Sequence, residues 1–334
     1  MPHVLVVGAG AVGAFYASKL DPNAAHVALV CRSNYDVVKQ HGFQMKTHSF
    51  GDYAYKPHEV YPSVDAAAAQ EWDYVVVATK ALNMSPDTAS FIAPVVTSKT
   101  TIVLVQNGVE VEAPYRARFP DAPIVSAVTV VSAALVEPSV LVQYRWTRIS
   151  LGPYTDLYGT QTTDTQRALI ERGTAGVEEL VQLFTAGGIR DAEAYDALGL
   201  QQVRWHKLAI NASMNVSGVL SGCLGNDVMV KDPILRPHLE ACMHEVLDAA
   251  PKIFGKPLPE KFASPELLLK STERNVNSKS SMVQDWQGHR ALELDAILGN
   301  ALQVAAKHNA PMPRLESMFA LLQSAQKVHL DKST

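Results

Sequence analysis

The chain has 334 residues, of which 47% are hydrophobic and 19% charged, and a formal net charge of -4. That length exceeds what one hydrophobic core usually serves, so two domains are expected. The near-neutral balance lacks the basic footprint of a nucleic-acid or anionic-membrane binder. Three cysteines (Cys31, Cys223 and Cys242), none in CxxC spacing, argue against a disulfide framework and structural zinc and point to a reducing compartment.

The apolar run at 4–17 has no basic residue before it and contains three glycines. It reads as a buried strand entering a glycine-rich turn rather than a secretory leader. No stretch reaches the ~18 apolar residues of a membrane span. The closing Asp331-Lys332-Ser333-Thr334 matches no address signal. The expectation is a cytoplasmic protein with neither membrane nor nucleic acid as partner.

Up to about residue 150, β-branched runs at 3–7, 27–31, 74–78, 101–105 and 124–131 alternate with helical stretches. The first four are apolar throughout, as parallel strands covered on both faces are. Segments 43–47 and 54–56 predict a hairpin around a Gly51-Asp52 turn. Segments 140–144 and 147–151 predict late strands closing one edge of the sheet. A helix is expected over 166–184, stopped by Gly187 and Gly188, then a short connection through 192–199. The polar stretch 155–172 predicts a surface insertion. From residue 200 the periodicity is helical, at 200–221, 233–252, 263–271, 280–308 and 313–327, punctuated by prolines. The fold class is therefore α/β, an N-terminal Rossmann-type doubly wound sheet over 1–198 followed by an all-helical C-terminal domain over 199–334.

Gly8-Ala9-Gly10-Ala11-Val12-Gly13 follows the first strand and opens a helix, the setting of a dinucleotide fingerprint. Gly8 permits the tight turn, Gly10 lets backbone approach a pyrophosphate, and Gly13 lets helix and strand pack. Unpaired N–H groups at the helix start favour the anion. After the second strand, where NAD enzymes place an acid for the ribose, the chain has Cys31-Arg32-Ser33-Asn34. A guanidinium there suits a 2′-phosphate, so NADP(H) is the expected cofactor, although Arg32 also reads as a solvated loop charge. Lys80 and Asn107 follow two further strands, at the sheet end where ligands bind in such folds. Lys80 would serve the nucleotide phosphates and Asn107 the substrate or nicotinamide ribose, or each is an ordinary turn residue.

Lys207, Asn211 and Asn215 are spaced i, i+4, i+8, which places them within roughly 80° on one helix face. Polar groups on an otherwise apolar helix need partners, and a ligand rich in oxygen would supply them. Ser281, Asp285 and Glu293 span about 120° if 280–308 is one helix, and read equally as an N-cap serine with acidic surface residues. His206 points away from Lys207 and reads as structural. No HExxH, clustered Cys/His, GxSxG or P-loop pattern is present, so no metal is expected.

These segments together resemble the ketopantoate reductase (2-dehydropantoate 2-reductase) family. The resemblance rests on GAGAVG at 8–13, Arg32, TKA at 79–81, QNG at 106–108, WHKLAINASMN at 205–215, SSMVQD at 280–285 and LELD at 292–295. It implies a Rossmann domain and a helical domain, with the active site in the cleft between them. It implies Lys207 as the general acid for the ketone oxygen and Glu293 as the acid that binds the substrate hydroxyl and sets the lysine's state. Asn107, Asn211, Asn215 and Ser281 are implied as substrate ligands, Arg32 and Lys80 as ligands of the NADPH phosphate, and Asp285 as a motif residue without a clear role. The implied reaction is NADPH-dependent reduction of ketopantoate to (R)-pantoate, for pantothenate synthesis. Extra sequence around 155–172 and 255–280 departs from compact members of the family. A reductase of another small 2-oxo acid is the alternative. From a different class, a catalytically silent NADPH-sensing regulator would be expected to have lost Lys207, Asn211, Asn215, Ser281 and Glu293, yet all are present. A glycerol-3-phosphate or opine dehydrogenase would share the layout but not SSMVQD and LELD. A helical second domain with apolar segments is compatible with a homodimer.

Overall fold

The structure is a computed structural model that describes residues 1–82, 85–155 and 163–331. These divide into two compact units, with the division inside one helix at residues 200/201. Residues 81, 82 and 107–110 belong with the second unit. Sequence alone places the boundary at 198/199 and assigns both short segments to the first domain.

The first unit is built on one mixed sheet. Strands β1 (His3–Val7), β2 (His26–Val30), β3 (Phe43–Thr47), β4 (Gly51–Tyr55), β5 (Glu59–Tyr61), β6 (Tyr74–Val77), β7 (Thr101–Leu104), β8 (Ile124–Glu137) and β9 (Val140–Pro153) lie in the order β4-β3-β9-β8-β7-β6-β1-β2-β5. A short β10 (Ala192–Ala194) pairs with β9. From β8 to β5 all neighbours are parallel. Helices α1 (Ala11–Ala17), α2 (Tyr35–His41), α3 (Ala113–Arg118) and α4 (Asp164–Ala186) belong to this unit, with 3-10 turns at Asp65–Ala67 and Pro86–Val95. Strand β1 shows why its sequence is apolar throughout. Val4 and Val6 enter one hydrophobic cluster with Phe15, Leu180 and Phe184, whereas Leu5 and Val7 enter the other with Trp72, Ile92 and Tyr115. Alternate side chains face opposite sides, and both sides are covered.

Several expectations need correction. The segments at 140–144 and 147–151 form one strand, β9, which lies inside the sheet between β8 and β3. The interruption is a bulge, with Trp146 at φ 56 and the register with β8 shifting between Val130 and Ser132. Gly51 and Asp52 are in β4, paired with Thr47 and Lys46. The turn is at 48–50, where Phe50 N donates to Thr47 Oγ1 (3.1 Å) and that hydroxyl donates to Gly51 O (2.7 Å). The short β5 and β10 carry too few residues for an alternating pattern. In the expected insertion, residues 164–172 are the start of α4 and 156–162 lie outside the described residues. A capping box begins α4, with Gln166 N donating to Thr163 Oγ1 (3.2 Å) and Thr163 N to Gln166 Oε1 (2.9 Å).

The second unit is helical. Helix α5 (Ala197–Ile210) runs into a π-helical turn, Asn211–Asn215, and then α6 (Val216–Leu220). There follow α7 (Asn226–Lys231), α8 (Leu235–Phe254), α9 (Pro265–Thr272), α10 (Ser281–Gln287), a second π turn (Asp295–Gly299), α11 (Asn300–Lys307) and α12 (Pro313–Asp331). Long α8 packs against α7, α9, α11, α12 and the first π turn. The single helix expected at 280–308 is broken. Gly288 ends α10, His289 adopts a left-handed backbone (φ 51), and Arg290 N donates to Asp285 O (2.9 Å). The angular arithmetic for Ser281, Asp285 and Glu293 therefore does not hold. Helix α7 was not legible, being only six residues long. No helix among the described residues is long and apolar enough to cross a membrane.

Candidate active site

In the first unit, the glycines meet the requirements of a nucleotide turn. Gly8 has φ 106, a conformation costly for any residue with a Cβ. A Cβ at Gly13 would stand 2.0 Å from Gly8 O, so the start of α1 can pack this closely on the turn only without a side chain. At Gly10 an added Cβ would meet no protein atom within 4 Å. Gly10 thus leaves open space at the helix start, where a pyrophosphate requires it. The residues present fit a dinucleotide.

The loop after β2 lies beside this turn. Asn34 Nδ2 donates to Ala9 O (3.3 Å) and to Pro138 O (3.1 Å). Arg32, two residues earlier, is exposed and has no hydrogen-bond partner among the described residues. Lys80 is also exposed, three residues beyond β6. Gln106, after β7, is buried and its Nε2 donates to Thr79 O (2.8 Å), tying two strand ends together.

In the second unit, Lys207 is the centre of a polar cluster. It lies on the last turn of α5, and its Nζ donates to Asn107 Oδ1 at 2.7 Å. Asn107 is brought there by a short turn with three anchors. Arg204 Nη1 donates to Gly108 O (2.9 Å), Val109 N donates to Ala296 O (2.9 Å), and Asn300 Nδ2 donates to Val109 O (2.8 Å). Gly108 has φ 106 and passes so close to the second π turn that a Cβ would lie 2.3 Å from Ala296 O. Glu293, 7% exposed, precedes that π turn and its Oε1 accepts from Ala81 N (3.0 Å). Burial pushes the Lys207 ammonium down to about 8, the Arg204 guanidinium adds to the drop, and Glu293 opposes it. A lysine so held gives up its proton near neutral pH, as a general acid must.

The structure thus joins Lys207 to Asn107 by a hydrogen bond and to Glu293 through its electrostatic field. Asn211 and Asn215 bound the first π turn, whose i→i+5 bonding widens the helix, so their positions depart from the regular 40° step. Neither amide has a hydrogen-bond partner among the described residues, so both remain available to a ligand. Ser281 opens α10 and is exposed. No described hydrogen bond links it to Lys207, and the cap of that helix is Ser280, whose Oγ accepts from Val283 N (3.3 Å). Asp285 accepts from Arg290 Nε (3.0 Å) and stabilises the break after α10, a structural role. His206 is structural too, with Nε2 within 2.9 Å of Ala263 O and its ring against Phe262. Sequence reading gave Arg204, Asn300, Ala81 and Asn34 no role at the site, although Asn34 and Ala81 lie within segments it singled out and Arg204 stands three residues before Lys207. Glu240, His244 and Glu266 bring possible ligand atoms within 4.8 Å of one another, but share no residue with this cluster.

Comparison with known proteins gives a consistent result. Residues 4–156 match the family Ketopantoate reductase PanE/ApbA, and residues 199–326 match Ketopantoate reductase PanE/ApbA C terminal. A 2-dehydropantoate 2-reductase of Nostoc sp. is 26% identical, over 94% of this chain and 92% of its own. The crystal structure of 2-dehydropantoate 2-reductase from Methylococcus capsulatus superposes with a TM-score of 0.81 at 28% identity, covering 98% of this chain and 97% of that one. D-mandelate dehydrogenase, solved with NADH and anilino(oxo)acetate, shares the fold at 17% identity, with a TM-score of 0.74 and coverage of 98% and 99%. Fold, glycine turn and lysine cluster define an oxidoreductase with a Rossmann-type unit and a helical unit. Within that class, the chain belongs to the ketopantoate reductase family.

Proposed function

We propose that the protein reduces the ketone of a small 2-oxo acid with NADPH, with ketopantoate as substrate and (R)-pantoate as product. The observation that carries this reading is Lys207, an ammonium lowered to about 8, hydrogen-bonded to Asn107 and within the field of Glu293. Gly8, Ala9, Gly10, Ala11, Val12 and Gly13 would hold the pyrophosphate against backbone N–H groups. Arg32 and Lys80 would neutralise the 2′-phosphate; the absence of an acid after β2 favours NADPH over NADH. When bound, the nicotinamide supplies the hydride.

The chain's own part is to orient the ketone and deliver one proton. Lys207 Nζ donates a hydrogen bond to the ketone oxygen, stabilises the negative charge that develops there, and then transfers its proton to form the alcohol. Asn107 orients the ammonium, and its amide Nδ2 donates to substrate. Glu293 accepts from the substrate hydroxyl and helps keep Lys207 protonated before the reaction. Asn211 and Asn215 donate to carboxylate oxygens, and Ser281 contributes a further hydroxyl. The product leaves a neutral lysine that regains its proton from solvent.

A second reading is reduction of a different 2-oxo acid by the same machinery. It is favoured by the modest identity to named reductases, 26% and 28%, since substrate choice depends on wall residues rather than on the proton donor. The test is loss of nicotinamide absorbance with ketopantoate and a panel of branched and aromatic 2-oxo acids, for wild type and Lys207→Ala. Ketopantoate-selective turnover that collapses in the variant supports the first reading, and turnover only with other acids supports the second. Activity untouched by the substitution refutes the site. A protein that binds NADPH yet reduces none of the acids would be the silent regulator.

A further inference from the structure

We propose that Arg204 is a positioning residue of this site, pinning the Asn107-Gly108 turn and setting a second positive charge beside the proton donor. The inference rests on the reading of Lys207 as general acid. Arg204 is one helical turn before Lys207 on α5, so both side chains leave the same face. It is 4% exposed, a rare setting for a guanidinium. Its Nη1 donates to Gly108 O at 2.9 Å, and the adjoining residue, Asn107, accepts from Lys207. The two side chains therefore hold neighbouring residues of one turn, while Ala296 and Asn300 hold its far side through Val109.

Among the described residues, the charged groups acting on Lys207 include Arg204 from its own helix and Glu293 from the segment before the second π turn, beside the neutral Asn107. Glu293 stabilises the ammonium and Arg204 destabilises it. Without Arg204 the donor would hold its proton more tightly, and the turn presenting Asn107 would lose one of three anchors. Arg204 thus combines orientation with a bias toward proton release.

The test uses the full chain with 13Cε-labelled lysine, as wild type, Arg204→Gln (which keeps a donor for Gly108 O without charge) and Arg204→Lys. The Lys207 resonance is identified by its loss in Lys207→Met and titrated by NMR, alongside pH profiles of kcat and KM for NADPH-dependent reduction. In Arg204→Gln the Lys207 midpoint is expected to rise by roughly one unit. The alkaline limb of kcat should move with it, and kcat should fall about tenfold at unchanged KM for NADPH. Arg204→Lys should restore the midpoint and most of kcat. An unmoved Lys207 midpoint in folded Arg204→Gln overturns the proposal, as does a midpoint in Arg204→Lys equal to that of Arg204→Gln. Should Arg204→Gln not fold, the Lys207 midpoint in Arg204→Lys decides, and a rise there overturns it. If wild type reduces no 2-oxo acid, the functional reading fails, while the NMR titration still decides the role of Arg204.

Discussion

Replacing Lys207 by methionine should make the protein inactive and, at neutral pH, more stable. Methionine keeps much of the side chain's length and apolar stem but removes the ammonium. A lysine held at about 8 in the folded chain and at 10.5 when unfolded disfavours the folded, protonated state by about 3 kcal/mol. The sign follows from proton counts. Below pH 8 both states carry the proton and the penalty is present in full. Between about 8 and 10.5 the unfolded chain binds more protons than the folded one, so stability rises with pH. Above 10.5 the penalty is gone. Lys207→Met removes this dependence, together with the charge-assisted bond to Asn107, worth about 1.5 kcal/mol. The variant should therefore exceed wild type by about 1.5 kcal/mol at pH 7, and the difference should vanish or reverse by pH 10. Urea unfolding of both proteins at several pH values measures this difference. It also cancels the contribution of Lys19, which burial likewise lowers to about 8. A variant less stable than wild type at pH 7, with the same pH slope, would refute the buried-donor reasoning.

Three further outcomes are expected. Arg32→Ala should raise KM for NADPH by about 10- to 100-fold while leaving KM for NADH nearly unchanged, since a lost phosphate contact is worth about 1.5–3 kcal/mol; equal effects on both cofactors in steady-state kinetics would place the 2′-phosphate elsewhere. Gly10→Ala should fold with a urea midpoint near wild type but bind NADPH weakly by fluorescence titration, because its Cβ meets no protein atom. Gly108→Ala should destabilise by about 2 kcal/mol or more, from the left-handed backbone and the clash with Ala296 O, and should lower kcat by displacing Asn107. A wild-type urea midpoint and kcat in that variant would show that the turn is not held as described.

Much of this protein is written locally. A glycine turn, a strand apolar throughout and a helix rich in apolar residues each depend on neighbours a few residues away, so 3–7, 8–13, 43–47 and the helix around Lys207 were legible. The capping box at Thr163 and Gln166 was equally available and marks the start of α4 more sharply than the periodicity of 166–184. Where the local pattern was too short or interrupted, reading failed. A bulge at Trp146 looked like a gap between strands, and the Gly288-His289 break was hidden inside a run with helical periodicity.

The candidate site divides along the same line. Sequence alone determined the residue types: a lysine on an apolar helix, an asparagine after a strand, an arginine in the loop after β2. Which of them meet was decided by tertiary structure. Asn107 reaches Lys207, 100 residues away, because Gly108 fits under Ala296 O and Arg204 holds its carbonyl. Glu293 is fixed by the backbone N–H of Ala81, 212 residues distant. No helical period relates these positions. A proton donor's acidity depends on burial and on charges arriving from elsewhere in the chain, and both exist only once the chain has folded.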